Sequence, residues 1–552
     1  MVKDMGNGRK QILFLLVTII VALLFFSNKP IHMDDILFLN SAENIVKDFT
    51  RPYDFTINWS GTADRAWDAN KNPPLSSYIL APLVKLFPGK IIPLHIAFMI
   101  FPIIAVMAMY SIASRFVKDS ILPSLFLFIS PAFFVTATSL MCDLPHLAFY
   151  LSALLFYIKG FEREKGIYFV LSGVLAGLAV LTKYTAINLI FIFLLYSIVF
   201  KKRSPKAIMA ILIPLVLLTL WGLHGIYFYG KPHFFTLSEQ VYFFWEKANP
   251  LKEGVVNISE FFIFLSGCSL FIFFSFFSVV KEKQKSILRK WGIIGLVSTF
   301  LTMFTVSSMA ERTNRFDFIL IFLFIALSIS FFKTAFTYYA KNKTDKNFLF
   351  LFGWFLLNCA IVMFNYTIAA RFILLVLPPM GLLTIYIMEK HKIFERVGKR
   401  FVYRASALIF LITILIAHSD YYFAASYRNF SKSVPQSIRE RKIWFVGHWG
   451  FQYYMKKNGF EPIDFVQEIV LTKGDVIVVP MSNTSVHSEK LNKIIKPYNV
   501  YKDKVRGFFS LTLNAGFYNH GFGPLPYAPG AKFSEIYQIY EVTKSVRISR
   551  LI

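Results

Sequence analysis

Acidic side chains stand at two points where long apolar runs of the chain end. Asp34 and Asp35 come just after the first run, and Asp143 lies in a link of a few residues between two later runs. A carboxylate this close to hydrocarbon is costly and usually faces a cavity or a charged partner. The alternative is an ordinary helix start, which suits Asp143 because Leu144 and Pro145 follow it. We favour a functional role for Asp34 and leave both interpretations open for Asp143.

Basic side chains occur at similar positions. Lys183 lies in LAVLTKYTAI between two short apolar runs, and Arg371 opens another run in AARFILLVLPP. Lys71 lies in KNPPL, where the paired prolines predict a rigid entry into a helix. Such cations can bind an anion, for example a phosphate at the membrane surface. Snorkelling to lipid headgroups, or a simple turn around Lys71, is the alternative.

Composition places these residues in a membrane protein. Of the 552 residues, 56% are hydrophobic, and the mean hydropathy is +0.54. The net charge of +27 comes from Lys and Arg. These cluster in short links between apolar runs, which is the positive-inside pattern and not evidence for nucleic acid as a partner. The three cysteines lie in or beside apolar runs and indicate no disulfide framework or metal cluster.

Apolar runs long enough to span a bilayer predict about thirteen transmembrane helices. The first follows Lys3, Arg9 and Lys10 without a cleavage site, so we read it as an uncleaved span. The predicted spans are 11–27, 91–114, 120–138, 144–160, 167–182, 184–200, 207–228, 257–280, 290–308, 317–338, 347–366, 372–388 and 404–420. The runs 167–182 and 184–200 are short and predict a tight hairpin.

With thirteen spans every basic link falls on one side of the membrane. The other side receives a first outer loop (28–90), a short link at 141–143, a loop at 229–256 and the tail from 421. The first loop contains amphipathic segments that predict interfacial helices. Strand patterns such as KIWFVG and GDVIVVP alternate with helical ones in the tail. We therefore expect a transmembrane domain over 1–425 and a small extracytoplasmic α/β domain over 426–552.

The chemical features follow one another in a particular order. An acid pair comes after the first span, then a PPL helix start, an outer link with Asp, an LTK turn and an ARF…LPP span. This order resembles the GT-C membrane glycosyltransferases, specifically the protein O-mannosyltransferase and lipid A aminoarabinose transferase group, over about residues 10–425. The resemblance implies a GT-C fold and an enzyme that uses a lipid-linked sugar.

The resemblance also implies roles for individual residues. Asp34 is the expected catalytic base, and Asp35 and Asp143 are further predicted catalytic residues. Asp35 stands where the family usually has Glu. Asp143 matches an acid expected near the acceptor or the donor head group. Lys183 and Arg371 match cations expected to bind the donor phosphate.

Lys71 is a further candidate for binding the donor phosphate. The family has Lys directly before PPL, where this chain has Asn72, and Lys71 lies one place earlier. Whether Lys71 substitutes for the family's lysine is left open.

These residues predict transfer of a single sugar from a polyprenyl phosphate to an extracytoplasmic acceptor, which is lipid A, another glycan or a protein. Cations stabilise the leaving phosphate, a carboxylate takes the acceptor's proton, and a single displacement inverts the anomeric carbon. The predicted location is a bacterial-type inner (plasma) membrane, with membrane lipids around it and the active site on the extracytoplasmic side. No cofactor is indicated beyond the lipid-linked donor, and a divalent metal is left open.

Two other functions share some of these features. A transporter or flippase of lipid-linked glycans predicts charges in mid-span, whereas the notable charges here lie at span ends. A glycan polymerase or ligase would share the outer cations. Aromatic residues of the tail can stack on sugars, although a hydrophobic core is the favoured interpretation for them. These residues are Trp444, His448, Trp449, Tyr453 and Tyr454.

Overall fold

The computed structural model describes residues 2–552 except 60, 237–238, 240–249, 276–283, 309–312, 314–315, 364, 366, 484–487, 505–506, 531–532 and 549–552. Helices dominate up to residue 433. Outside the first outer loop they include Val2–Leu24, Ile91–Phe98, Ile100–Ala113, Ile121–Ile129, Pro131–Ala137, Asp143–Arg163, Gly166–Thr182, Leu189–Val199, Met209–Tyr229, Pro250–Gly267, Gln284–Ser308, Asp317–Lys341, Lys346–Met363, Leu377–Lys390 and Lys399–Ser433.

Within the described part of the chain, six helices are long and apolar enough to cross a membrane. They are Ile91–Ala113, Asp143–Arg163, Pro205–Tyr229, Asp317–Lys341, Lys346–Met363 and Lys399–Ser433. Shorter apolar helices such as Gly166–Thr182 lie among them. The predicted fold, a polytopic helical membrane protein with a strand-containing C-terminal domain, is confirmed. The count of thirteen spans stays a prediction.

Several of the predicted spans are interrupted, among them 120–138 and 372–388. The run 120–138 forms two helices, Ile121–Ile129 and Pro131–Ala137, because Pro131 has no N–H for a continuous helix and instead begins the second one. The run 372–388 starts as a 3₁₀ turn, Ala370–Leu375, ahead of the paired prolines in the helix Leu377–Lys390. Irregular backbone at membrane depth is tolerated where it is buried in protein or lines a cavity.

The predicted turn at Lys183 is present between the helix Gly166–Thr182 and the 3₁₀ turn Tyr184–Asn188. The two arms pack mainly on different neighbours and so do not form the expected tight hairpin. Gly166–Thr182 packs on Asp143–Arg163 and Met209–Tyr229, whereas Leu189–Val199 packs on Lys346–Met363. Glycine permits the contact with Met209–Tyr229, since a Cβ on Gly177 would collide with the side chain of Leu217.

The first outer loop forms helices at its two amphipathic segments, and their interfacial position stays a prediction. Asp35–Lys47 and Leu75–Leu86 pack together. Between them lie an antiparallel hairpin, Thr56–Asn58 with Ala63–Arg65, and one helical turn, Ala66–Ala69. The hairpin and the helical turn directly precede Lys71 in the chain.

The C-terminal region is built around a mixed five-stranded sheet in the order Glu461–Pro462, Ile443–Phe445, Val476–Pro480, Phe533–Val542, Ile495–Lys504. The first three strands pair in parallel. Phe533–Val542 pairs antiparallel with both of its neighbours, Val476–Pro480 and Ile495–Lys504. The two-stranded pairs are Ile469–Leu471 with Val546–Ile548 and Phe509–Ser510 with Ala528–Pro529. The helices of this region are Gln436–Arg439, Trp449–Lys457 and Glu489–Asn492.

The sheet region packs directly on the end of the helical region. The rings of Phe430 and Tyr537 stack with centroids 3.8 Å apart, and a Cβ on Gly450 would lie only 2.1 Å from the carbonyl oxygen of Ile31. The predicted boundary between residues 425 and 426 falls inside the helix Lys399–Ser433. The division into 1–425 and 426–552 therefore stays a prediction.

Candidate active site

A cavity of about 460 Å³ opens where the first outer loop, several helix ends and the C-terminal region meet. Five of the six side chains predicted for the site line it: Asp34, Lys71, Asp143, Lys183 and Arg371. They come from separate stretches of the chain, so the shared cavity is a result of the tertiary fold.

The first acid–cation pair in the cavity joins Asp34 to Arg371. Their side chains form an ion pair while remaining 18% and 21% exposed, respectively. Arg371 belongs to the 3₁₀ turn Ala370–Leu375, which is fixed by a hydrogen bond from Ala370 N–H to the Phe517 carbonyl (2.8 Å). Its Nη1 also donates to Met141 Sδ (3.3 Å). Within the described part of the chain its Nε is buried and has no hydrogen-bond partner.

The second pair joins Asp143 to Lys183, with Lys183 Nζ 2.6 Å from Asp143 Oδ1. Asp143 is the first residue of its helix, and Lys183 directly follows the helix Gly166–Thr182. The ring of Phe372 lies 4.9 Å from the Lys183 ammonium and 5.5 Å from the Arg371 guanidinium. The two pairs thus meet around one aromatic ring, and both cations face the same space.

Lys71 lines the same cavity from the first outer loop. Its Nζ donates to the carbonyl of Thr236 (3.2 Å). Partial burial lowers the pKa of Lys71 from its usual value, although Asp68 and other nearby acids oppose the shift. Lys71 therefore lies beside the space for a ligand, and its ammonium is hydrogen-bonded to an uncharged carbonyl.

Asp35 lies outside the cavity lining. It is fully buried, and its oxygens accept hydrogen bonds from Leu140 N–H (2.9 Å) and His32 N–H (3.1 Å). Burial raises its pKa to about 7 against the opposing charge of Lys29. These contacts tie the link before Asp143 to the start of the first outer loop and support a positioning role. The catalytic role predicted for Asp35 stays a prediction.

Sequence reasoning missed a buried charged network behind the cavity. Lys29 and Asp420 form an ion pair with both side chains fully buried. Lys29 Nζ donates to Thr138 Oγ1 (3.0 Å), and Tyr518 OH donates to Asp420 (2.7 Å). The available signal was an acid at the end of an apolar run, at Asp420. Tyr518 also lines the cavity, so the network reaches its wall.

Sequence reasoning also missed Asn358, a buried polar side chain inside the helix Lys346–Met363. Its Nδ2 donates to the Leu375 carbonyl (2.6 Å), and its Oδ1 accepts from Asn188 Nδ2 (2.6 Å) and Tyr150 OH (3.1 Å). These partners belong to the segments that follow Arg371, Lys183 and Asp143. Asn358 therefore links the three elements that present those charges.

The aromatic residues predicted from the C-terminal region fall into two groups. Trp444 is 7% exposed and its indole N–H donates to Asp475 (2.9 Å), as the core interpretation predicts. Trp449, by contrast, lines the cavity together with Tyr518, Asn519 and Phe522. The C-terminal region thus forms part of the cavity wall.

A narrow pocket adjoins the cavity at its cationic end. It shares Asp143, Lys183 and Arg371 with the cavity, and apolar side chains form much of the rest of its wall. The apolar members are Ile361, Val362, Phe372, Leu374 and Leu375. Cations beside an apolar passage suit an anionic head group attached to a hydrocarbon chain. Among the described residues, no group of three or more His, Cys, Asp or Glu side chains could hold a metal ion.

Residues 71–224 match the family model described as dolichyl-phosphate-mannose-protein mannosyltransferase. This segment contains Lys71, Asp143 and Lys183 of the cavity. The predicted resemblance to the protein O-mannosyltransferase group is confirmed there, and the predicted class of enzyme, a glycosyltransferase using polyprenyl-phosphate-linked sugars, agrees with it. No curated protein matches the chain.

Solved structures similar to this chain include two membrane proteins. The Archaeoglobus fulgidus oligosaccharyltransferase tethered with an acceptor peptide is 12% identical, with a TM-score of 0.44. The match covers 81% of this chain and 63% of that one, so the chain spans less than two thirds of its length. ArnT from Cupriavidus metallidurans bound to undecaprenyl phosphate is also 12% identical, with a TM-score of 0.39, over 96% of this chain and 97% of that one.

Proposed function

We propose that this chain is an integral membrane glycosyltransferase that moves one sugar from a polyprenyl-phosphate donor to an extracytoplasmic acceptor with inversion. The observation that carries the proposal is the meeting of two acid–cation pairs in one cavity at the ends of apolar helices. The family match over residues 71–224 supports the same donor class.

The donor phosphate binds between Lys183 and Arg371 in this proposal. Both cations line the cavity, and an ammonium and a guanidinium together offer several N–H groups to phosphate oxygens. The polyprenyl chain leaves the phosphate past the apolar side chains of the narrow adjoining pocket, whose volume of about 20 Å³ must widen to admit it. Lys71 approaches the head group from the other side of the cavity, as a further cation for the phosphate.

Asp34 acts as the base in the transfer step. The acceptor oxygen attacks the anomeric carbon while its proton passes to the Asp34 carboxylate. The bond between that carbon and the phosphate oxygen breaks, and its electron pair stays on the phosphate. Lys183 and Arg371 stabilise the charge that develops there. A single displacement of this kind inverts the configuration and forms no covalent enzyme intermediate.

The Asp34–Arg371 ion pair gives this step an order. A donor phosphate competes with Asp34 for the guanidinium of Arg371, because both are anions that bind its fork. Once the phosphate is bound, the Asp34 carboxylate is available to accept the acceptor's proton. Asp143 holds Lys183 at 2.6 Å and keeps it directed at the cavity.

The location and partners complete the proposal. The protein lies in a bacterial-type inner (plasma) membrane, with the cavity and the domain 426–552 on the extracytoplasmic side. The acceptor is lipid A, another glycan or a protein. The polyprenyl-phosphate sugar is the donor, and membrane lipids surround the helices.

Replacing the base tests the proposal directly. In proteoliposomes supplied with a polyprenyl-phosphate sugar, Asp34→Asn should reduce transfer by about 10²- to 10⁴-fold, because the amide cannot take the proton. Binding of undecaprenyl phosphate should be retained or tightened, since Arg371 loses its competing anion. Asp48→Asn is the matched control: Asp48 is an exposed carboxylate of the same loop, outside the cavity lining. Undiminished transfer by Asp34→Asn at normal membrane levels would rule out the assignment.

A further inference from the structure

Two tryptophans line the cavity and have no role in the step just described. Trp59 follows the strand Thr56–Asn58 in the first outer loop, and Trp449 begins a helix of the C-terminal region. Both are partly buried and keep ring surface in the cavity. Phe522 packs edge-on against Trp449 with centroids 5.7 Å apart, which supports the ring from the side.

Trp449 is held in an unfavourable backbone conformation. Its φ is +56°, in the left-handed region that a bulky side chain rarely adopts. Such a conformation persists only where the surrounding structure determines it, and it is concentrated at binding and catalytic sites. Here the next residue, Gly450, lies against the carbonyl of Ile31, and Tyr454 OH accepts from Ile31 N–H (3.0 Å). The helix of Trp449 is thereby fixed to the segment that leads directly to Asp34.

Trp59 is held at the same boundary from the other side. The preceding residue, Asn58, donates from Nδ2 to the carbonyl of Ile463 (3.0 Å), and its backbone contacts His448, the neighbour of Trp449. Phe465 N–H donates to the carbonyl of Gly61 (2.9 Å). The docking of the C-terminal region on the first outer loop therefore brings the two tryptophans to one cavity.

The groups that share this cavity favour a sugar over other ligands. Asn519, Asp64 and Asp68 also line it and offer amide and carboxylate groups that can bond to hydroxyls. An alkyl chain would displace water from these polar groups and offer no hydrogen bond in return, which is costly. A sugar ring presents an apolar C–H face to an aromatic ring and hydroxyls at its edge.

We propose that Trp59 and Trp449 form an aromatic subsite for a saccharide ring, assembled when the C-terminal region docks on the first outer loop. The inference rests on the proposed function, in which a sugar must occupy this cavity. The ring belongs to the donor sugar or to a saccharide acceptor, and these have the same stacking chemistry.

Binding measurements on the full chain in nanodiscs separate the sources. The probes are undecaprenyl phosphate, undecaprenyl-phosphate mannose and, as a saccharide lipid, lipid A. Trp449→Ala should weaken binding of one sugar-bearing probe by about three- to tenfold, the order expected for the loss of one aromatic contact. Binding of undecaprenyl phosphate should not change. Trp449→Phe should keep most of the affinity, and Trp444→Phe, in the core of the C-terminal region, should resemble the wild type.

Each outcome has one meaning. A loss confined to the mannose-bearing lipid places the donor sugar at the tryptophans, and a loss confined to lipid A places the acceptor there. If Trp449→Ala and Trp59→Ala both fold and bind all three probes as the wild type does, the subsite is refuted while the proposed function stands. If the wild-type protein binds neither polyprenyl lipid, the proposed function fails, and the lipid A measurement alone decides the role of Trp449.

Discussion

Two ion pairs flank the start of the first outer loop, and they differ in their access to solvent. The Asp34 and Arg371 side chains are 18% and 21% exposed, whereas those of Lys29 and Asp420 are both fully buried. An exposed pair can exchange one partner for a ligand, because water solvates the group that is released. A buried pair cannot, because separating it leaves an uncompensated charge. We infer that the first pair serves binding and the second holds the helices behind it.

The neighbouring acids Asp34 and Asp35 repeat this contrast within two residues. Asp34 faces the cavity and a cation, while Asp35 points inward to two backbone N–H groups. Adjacent residues at a helix start point in different directions, so an acid pair in the sequence need not be a pair in space. Asp34 and Asp35 are equally close to the first apolar run, so it is their different access to solvent that distinguishes the proposed base from the buried positioning residue.

The largest effect should come from breaking the buried pair. Lys29→Met leaves the charge of Asp420 buried without its counter-ion and should cost about 3–5 kcal/mol of stability. Thermal unfolding of the full chain in detergent measures this loss. The double variant Lys29→Met/Asp420→Leu should recover most of it, because both charges are gone. A single variant as stable as the wild type would contradict the structural role.

Breaking the partly exposed Asp34–Arg371 pair should reduce ligand affinity much more than stability. Arg371→Met should change stability by less than about 1 kcal/mol, since Asp34 is partly solvated. The affinity for undecaprenyl phosphate should fall by about ten- to a hundredfold, the value of hydrogen bonds to a charged group. Arg371→Lys is the control that keeps the charge but loses the planar guanidinium. Its affinity for undecaprenyl phosphate should lie between those of the wild type and Arg371→Met. Unchanged phosphate binding in Arg371→Met would remove this pair from the donor site.

The last prediction concerns pH and Asp35, which lies outside the predicted spans. Burial raises its pKa from 3.8 to about 7, so between these values the folded state binds more protons at Asp35 than the unfolded state does. Its contribution to stability is therefore full below about pH 4 and is lost as the pH rises towards 7. Relative to Asp35→Asn, the wild type should lose unfolding free energy as the pH rises from 4 to 8, with most of the loss below pH 7. Unfolding midpoints of both proteins across this range measure the difference, and parallel curves would contradict it.

The cavity charges could be predicted because they mark the ends of apolar runs. Asp34, Asp143, Lys183 and Arg371 each stand where a run begins or ends, and the alternation of spans places those ends on one side. The fold class followed from the same runs. The breaks at Pro131 and after Arg371 were harder to predict, because hydropathy measures apolarity and not helix continuity.

The remaining parts of the site depend on contacts between distant segments. Asn358 reads as one polar residue in an apolar run, and its three hydrogen bonds appear only when four segments are packed together. Trp444 and Trp449 lie in one aromatic stretch, yet the first lies in the core and the second in the cavity. Local pattern cannot separate them, since the docking surface on the first outer loop decides which ring faces the substrate.

The segment around Phe517 and Tyr518 has a consequence for the timing of biosynthesis. Phe517 accepts the hydrogen bond that fixes the turn of Arg371, and Tyr518 closes part of the cavity wall. Both leave the ribosome after the last membrane helix, Lys399–Ser433, has been made. A nascent chain that has already inserted its helices therefore still has an unfinished pocket. In the proposed function, sugar transfer therefore begins only after the C-terminal region has been translated and has docked on the first outer loop.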